Sequence, residues 1–190
     1  MAYKAFIFDF FGVICSGVGD AWLANNMSES VANDFKNSFF KVTDIGALSE
    51  REFFVQAGNA VKRTSVEVRA EWLNLARINV DMVEIIRELK KTHRIALCSN
   101  SPSPFIREII ARDNIAGLFD QIIISSEVDL VKPDLEIYSL TLEKLGVNAR
   151  ETVFVDDSKG NVIAAEQLGM KGFIFSSVEQ LKRDLKDIQV

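Results

Sequence analysis

Five short apolar runs constrain this chain more than any other feature. They are "KAFIFDF" at 4–10, "RIALCSN" at 94–100, "QIIISS" at 121–126, "TVFVDDS" at 152–158 and "GFIFSS" at 172–177. Continuous apolar runs of this length read as strands covered on both faces, the habit of a parallel sheet. Helical patterns lie between them. "DMVEIIRELKKTH", 81–93, carries apolar residues at 82, 85, 86 and 89, which is one helix face. Residues 102–113 read as helix after a Ser-Pro-Ser-Pro opening. "PDLEIYSLTLEKLG", 133–146, sets Pro133 at a first-turn position and stops at Gly146, and 159–169 stops at Gly169 in the same way. The tail, 177–188, is amphipathic. Strands alternating with helices through short loops predict an α/β sandwich built from right-handed crossovers.

Residues 18–80 break this rhythm. They contain no strand pattern and read as helices throughout, one of them opened by a capping box of Ser49 with Glu52. The segment is therefore read as a helical cap standing over the C-terminal end of the first strand. The rest, 1–17 with 81–190, forms the α/β core domain.

At 190 residues and 48% hydrophobic, the chain holds enough apolar material for one core with a modest insertion. A net charge of −5 and scattered Lys and Arg argue against nucleic-acid and anionic-membrane partners. No apolar run approaches the roughly 20 residues of a spanning helix. Asp9 interrupts the stretch where a signal peptide would be uncharged. Cys15 and Cys98 do not make a disulfide framework, and a reduced, cytoplasmic protein is expected. Cys98 reads as a small buried hydrophobe and His93 as a cation at a helix C-terminus.

In an open parallel sheet, ligands bind beyond the carboxyl ends of the strands. Asp9 ends the first run, Ser99 and Asn100 the second, and Asp156 and Asp157 the fourth, while Lys132 follows the third by a short loop. Taken singly, each has an ordinary explanation: Asp157 and Ser99 as helix caps, Asp156 as a solvated loop acid, Lys132 as a surface lysine. Four strand ends supplying such groups together point to one site.

The motifs "FIFDFFGVI", "LCSNS", "VKPDLEIY" and "VFVDDSKGNVIAAEQLG", in this order, resemble the haloacid dehalogenase (HAD) superfamily of hydrolases, in its helical-cap, phosphatase-like branch. The resemblance spans the whole chain, with 18–80 in the place of the cap. It implies a Rossmann-like three-layer sandwich with parallel strand order 3-2-1-4-5, which brings Asp9 and Asp157 together where the order reverses. It implies that Asp9 attacks a phosphoryl group and forms an aspartyl-phosphate. Ser99, Asn100 and Lys132 would bind the phosphoryl oxygens, with Lys132 as the cation beside the nucleophile. Mg2+ would be held by Asp9, the carbonyl of Phe11 and Asp157, with Asp156 a further ligand or outer partner. Asn161 would orient a metal-bound water. The expected partner is a small phosphorylated metabolite.

The chain departs from the family at Phe11, where its phosphatases carry a second Asp that handles protons. Such a group is worth about 10²–10⁴-fold, so alkyl phosphates should turn over slowly and acyl or sugar-1-phosphates should be favoured. Two other readings remain open at this point. One is a metal-independent 2-haloacid dehalogenase type, in which an aromatic residue commonly stands at the position of Phe11. The other is a non-catalytic regulatory protein that keeps the Mg2+ and phosphate pocket. In the cap, Asp20, Lys41, Lys62 and Arg63 are the polar residues that could meet a substrate, and Trp22, Trp72 and the phenylalanines read chiefly as core. By analogy the cap is expected to open and close over the site.

Overall fold

The computed structural model describes residues 3–188, so the first two and last two residues of the expected core domain lie outside the described residues. The first strand, β1, is Ala5–Phe8. Four helices follow: α1, Val18–Asn26; α2, Glu29–Asp44; α3, Glu50–Val61; and α4, Ser65–Leu75. The chain then alternates α5, Val80–Leu89; β2, Arg94–Ser99; α6, Ser103–Arg112; β3, Gln121–Ile124; α7, Ser125–Val128; and α8, Leu135–Leu145. It ends with β4, Thr152–Asp156; α9, Lys159–Gln167; β5, Lys171–Ile174; and α10, Val178–Asp187.

The five strands form one parallel sheet in the order β3-β2-β1-β4-β5, the order expected from the sequence. The period of two along a strand makes the layers. Phe6 and Phe8 of β1 join a cluster with Ile86, Ile106 and Leu181, from α5, α6 and α10. Ala5 and Ile7 point the other way and pack with Tyr138, Leu142, Val162 and Ala165, from α8 and α9. All four β1 residues are fully buried, which is why the strand contains no polar residue until Asp9.

Three boundaries differ from the sequence reading. Pro133 is not in the first turn of a helix. It sits in a turn closed by the Asp134 N–H on the Val131 carbonyl, 2.9 Å, and α8 begins at Leu135. The third run is strand only to Ile124. Ser125 starts a short helix because its Oγ donates to the Asp44 carbonyl at 2.5 Å and accepts from the Ser101 N–H at 2.9 Å. The helix expected at 81–93 ends at Leu89, and His93 lies just beyond it, its ring edge-on to Phe6. Gly146 stops α8 in the left-handed conformation, φ +64°, which costs glycine nothing.

Helices α1–α4 pack around aromatic rings. Trp22 lies 5.9 Å from Trp72, and Phe53 lies 5.2 Å from Trp72, centroid to centroid. Both α3 and α4 open with capping boxes, Ser49 with Glu52 and Thr64 with Glu67; the second was not picked out in the sequence. The two chain crossings between this helical segment and the sheet run side by side. Ser16 N–H donates to the Arg77 carbonyl at 2.9 Å and Asn79 N–H to the Ile14 carbonyl at 2.8 Å. No helix among the described residues is long and apolar enough to cross a membrane.

Candidate active site

Asp9 leaves the end of β1 with its backbone N–H on the Val155 carbonyl of β4, 2.9 Å, so the sheet fixes where its carboxylate stands. One oxygen, Oδ1, accepts from the Phe10 N–H at 2.6 Å and from Lys132 Nζ at 2.8 Å. The other makes no hydrogen bond among the described residues. Lys132 Nζ also donates to Asp156 Oδ2 at 2.6 Å. This lysine is buried, so its reading as a surface lysine fails. Burial alone would lower its pKa, but the Asp9 and Asp156 carboxylates outweigh burial and raise it, so the ammonium is held charged. For Asp9, burial dominates: it pushes the carboxyl up to about 7 against the pull of Lys132.

Asp156 is fully buried and its carboxylate is heavily engaged. Besides Lys132 it accepts from the Ser158 N–H at 2.8 Å and from Asn161 Nδ2 at 3.0 and 3.1 Å. It is therefore not a solvated acid, and Asn161 is occupied in holding it. The next residue, Asp157, makes none of these bonds and does not cap α9, whose N-cap is Ser158. Burial and then the charge of Asp156 raise its pKa. Carboxylate oxygens of Asp9, Asp156 and Asp157 lie within 4.8 Å of one another.

Gly12 makes this approach possible. It sits at φ +86°, and a Cβ there would collide with the Asp157 carboxylate. Phe11, beside it, keeps a backbone carbonyl that accepts no hydrogen bond among the described residues. Its ring packs on Phe10 at 4.9 Å and on Phe105 at 6.1 Å.

The second run contributes differently from the expectation. Asn100 lines the cavity, but its side-chain amide is committed to the Lys132 backbone: Oδ1 accepts from N–H at 2.8 Å and Nδ2 donates to the carbonyl at 2.9 Å. Asn100 thus positions the lysine. Ser99 is fully buried, and its Oγ has no partner. It does not cap α6, and it does not line the cavity. An orphaned buried hydroxyl is uncommon enough to call for an explanation.

Above these groups lies a cavity of about 390 Å³ between the strand ends and α1–α4. Of the four polar residues singled out in 18–80, Asp20 lines it and pairs with Lys36 at 2.6 Å. Lys41, Lys62 and Arg63 do not line it; Arg63 is turned to Glu71 and Asn26. The sequence reading missed Lys36 and Asp44. Burial pushes the Asp44 carboxyl up to about 7, with Lys132 and Lys36 pulling against it. It also gave little weight to the aromatic walls, namely Phe11, Phe40, Phe53, Phe54, Trp72 and Phe105. The two thiols take no part. Both are buried and pushed up to about 11 by burial.

A family model described as haloacid dehalogenase-like hydrolase matches residues 3–169. Among curated proteins, the chain is 28% identical to a sesquiterpene phosphatase of Aspergillus oryzae over 90% of this chain and 88% of that one. It is 25% identical to a D-ribitol-5-phosphate phosphatase of Bacteroides thetaiotaomicron over 90% of each. Among solved structures, a HAD family enzyme from Bacteroides thetaiotaomicron superposes with a TM-score of 0.82 at 18% identity, covering 97% of this chain and 99% of that one. The same enzyme has been crystallised as a complex with magnesium and inorganic phosphate.

Proposed function

Because the chain belongs to the haloacid dehalogenase-like hydrolase family, we propose that it is a Mg2+-dependent phosphatase that hydrolyses a small organophosphate through an aspartyl-phosphate on Asp9. The observation that carries this reading is the buried Lys132 ammonium, bonded at once to Asp9 at 2.8 Å and to Asp156 at 2.6 Å. It neutralises one oxygen of the nucleophile's carboxylate and leaves the other uncommitted. The two relatives, both phosphatases, and the magnesium–phosphate complex of the structural neighbour support it.

The residues present fit a hard cation. Three carboxylates converge within 4.8 Å, and Gly12 leaves room for Asp157 beside Phe11. Asp9, Asp157 and the Phe11 carbonyl would hold the ion. Asp156, with four hydrogen bonds already, serves as their outer support. When bound, the ion supplies positive charge to the phosphoryl oxygens. The retained acid pair also favours this reading over the dehalogenase type.

The chemistry at Asp9 has two steps. Its free oxygen attacks phosphorus as the bond to the leaving oxygen breaks, and the leaving group departs with the electron pair. Phe11 has no proton to give, so solvent protonates that oxygen. Water then adds to phosphorus, the bond to Asp9 breaks, and phosphate leaves with the carboxylate restored. Lys132 balances charge throughout. The loop at Asn100 and Ser101 lines the cavity beside Asp9, on the side where the phosphoryl group would sit. Residues 18–80 act as the cap and keep bulk water out.

A screen of phosphomonoesters, acetyl phosphate and 2-haloacids, with and without Mg2+, tests this. The expected result is Mg2+-dependent phosphate release that Asp9→Asn abolishes. Halide release without metal, or no turnover of any phosphate, overturns it.

A further inference from the structure

The cavity has two unlike ends. At the sheet it is polar, with Asp9, Asn100 and Asp157. Away from the sheet, α1 and α2 bring Asp20, Lys36, Thr43 and Asp44 to one side, and the facing wall is made of rings that touch one another in sequence. Phe11 packs on Phe105 at 6.1 Å, Phe105 on Phe54 at 6.0 Å and on Trp72 at 5.8 Å, and Trp72 on Phe53 at 5.2 Å. The wall is therefore continuous from the loop after β1, through α6, to α3 and α4.

Phe11 belongs to both halves of the problem. Its side chain withholds the proton that an alkoxide leaving group needs, and the same side chain starts the aromatic wall. A leaving group suited to this site must be stable as an oxyanion without an acid, and it must prefer rings to water. A simple alkyl group fails the first demand, and a sugar-1-phosphate, though it needs less acid help, sets its hydroxyls against Phe and Trp on this wall. An aryl group meets both, since a phenolate leaves without prior protonation and stacks on aromatic faces.

We infer that the substrate is an aryl phosphate, with the ring of its leaving group seated against Phe11, Phe105, Phe54 and Trp72. The reaction balances as in the general case: the phosphorus–oxygen bond breaks, the phenolate carries away the electron pair, and Asp9 takes the phosphoryl group. The inference rests on the phosphatase reading.

The test compares naphthyl, phenyl, cyclohexyl and glucose-1-phosphates with acetyl phosphate, in the presence of Mg2+, and adds a series of substituted phenyl phosphates. The native protein is expected to favour naphthyl over phenyl phosphate, and phenyl over cyclohexyl phosphate by at least about 100-fold in kcat/KM, the lower end of what a missing acid costs. Its rate should rise steeply with leaving-group acidity. Phe11→Asp should flatten that slope and raise cyclohexyl turnover, while KM for naphthyl phosphate rises. Trp72→Phe, which keeps a smaller ring in the wall, should raise KM for naphthyl phosphate more than KM for acetyl phosphate. Glucose-1-phosphate turned over better than phenyl phosphate, or a flat dependence on leaving-group acidity, overturns the inference while leaving the phosphatase reading intact. No phosphate release from any compound, acetyl phosphate included, overturns both.

Discussion

Asp9 shows how one residue is held against its own preference. Its carboxyl lies at the end of a fully buried strand, and burial raises it from an ordinary 3.8 to about 7. A carboxyl raised on folding takes up a proton, so its contribution to stability is full below the unfolded value. That contribution is lost as pH rises through the folded one. Asp9→Asn removes the penalty. In EDTA, the melting temperature of Asp9→Asn minus that of the native protein should be near zero at pH 4. It should grow between pH 4 and 7 and level off above. Each kcal/mol gained is worth about 2–4 °C for a chain of this size. A difference independent of pH would show that the Asp9 charge carries no folding penalty. The roles of individual site residues were only partly legible in the sequence. Asp9, Lys132, Asp156 and Asp157 do converge, because strand ends deliver them. That Asn100 is committed to the Lys132 backbone was not legible, because that contact joins residues 32 apart in the chain. Asp44 and Lys36 were missed because polar residues on a surface helix carry no mark of which ones overhang a cavity.

At the scale of elements, the strands were readable because burial on both faces leaves a run with no polar residue, as in the wholly buried Ala5–Phe8. Short α7 was not readable: the turn at Ser125 depends on the Asp44 carbonyl, 81 residues earlier in the chain. The loop after β1 is the element on which the proposed cation site depends. Gly12 combines a positive φ with a near approach of the Asp157 carboxylate. Gly12→Ala should cost about 1–2 kcal/mol of stability through backbone strain. It should also weaken Mg2+ binding, followed by calorimetry, by at least tenfold, because the new methyl displaces Asp157. Gly117→Ala is the control, since nothing lies within 4 Å of a Cβ there. If Gly12→Ala binds Mg2+ as the native protein does, Asp157 is not a ligand.

For the whole molecule, the question is what sets the distance between the helical segment and the sheet. Three kinds of contact join them across the cavity rim. The aromatic wall runs from Phe105 to Phe54 and Trp72. Arg69 bonds both Glu50 beside it and Glu108 of α6, each at 2.6 Å. Arg112, at the end of α6, donates to the carbonyls of Leu73 at 3.1 Å and Ala76 at 2.8 Å, where α4 ends. Of the two Arg69 pairs, only the one with the exposed Glu108 reaches α6, and such a pair contributes little on its own. Arg112 does more, because it satisfies carbonyls at a helix C-terminus that otherwise have no donor, and its charge suits that end of the dipole. It also ties the second chain crossing to α6, the helix that carries Phe105. Arg112→Met keeps the stem and removes the donors. It should lower stability by about 1–2 kcal/mol, which is several degrees in melting temperature, and speed hydrogen exchange at 73–79. Phe105 would then hold its place in the wall less firmly, so KM for naphthyl phosphate should rise more than KM for acetyl phosphate, which is too small to reach the rings. A fall in melting temperature with both KM values and the exchange unchanged would mean that α6 does not hold the helices in register, and that the wall keeps itself together through its rings alone.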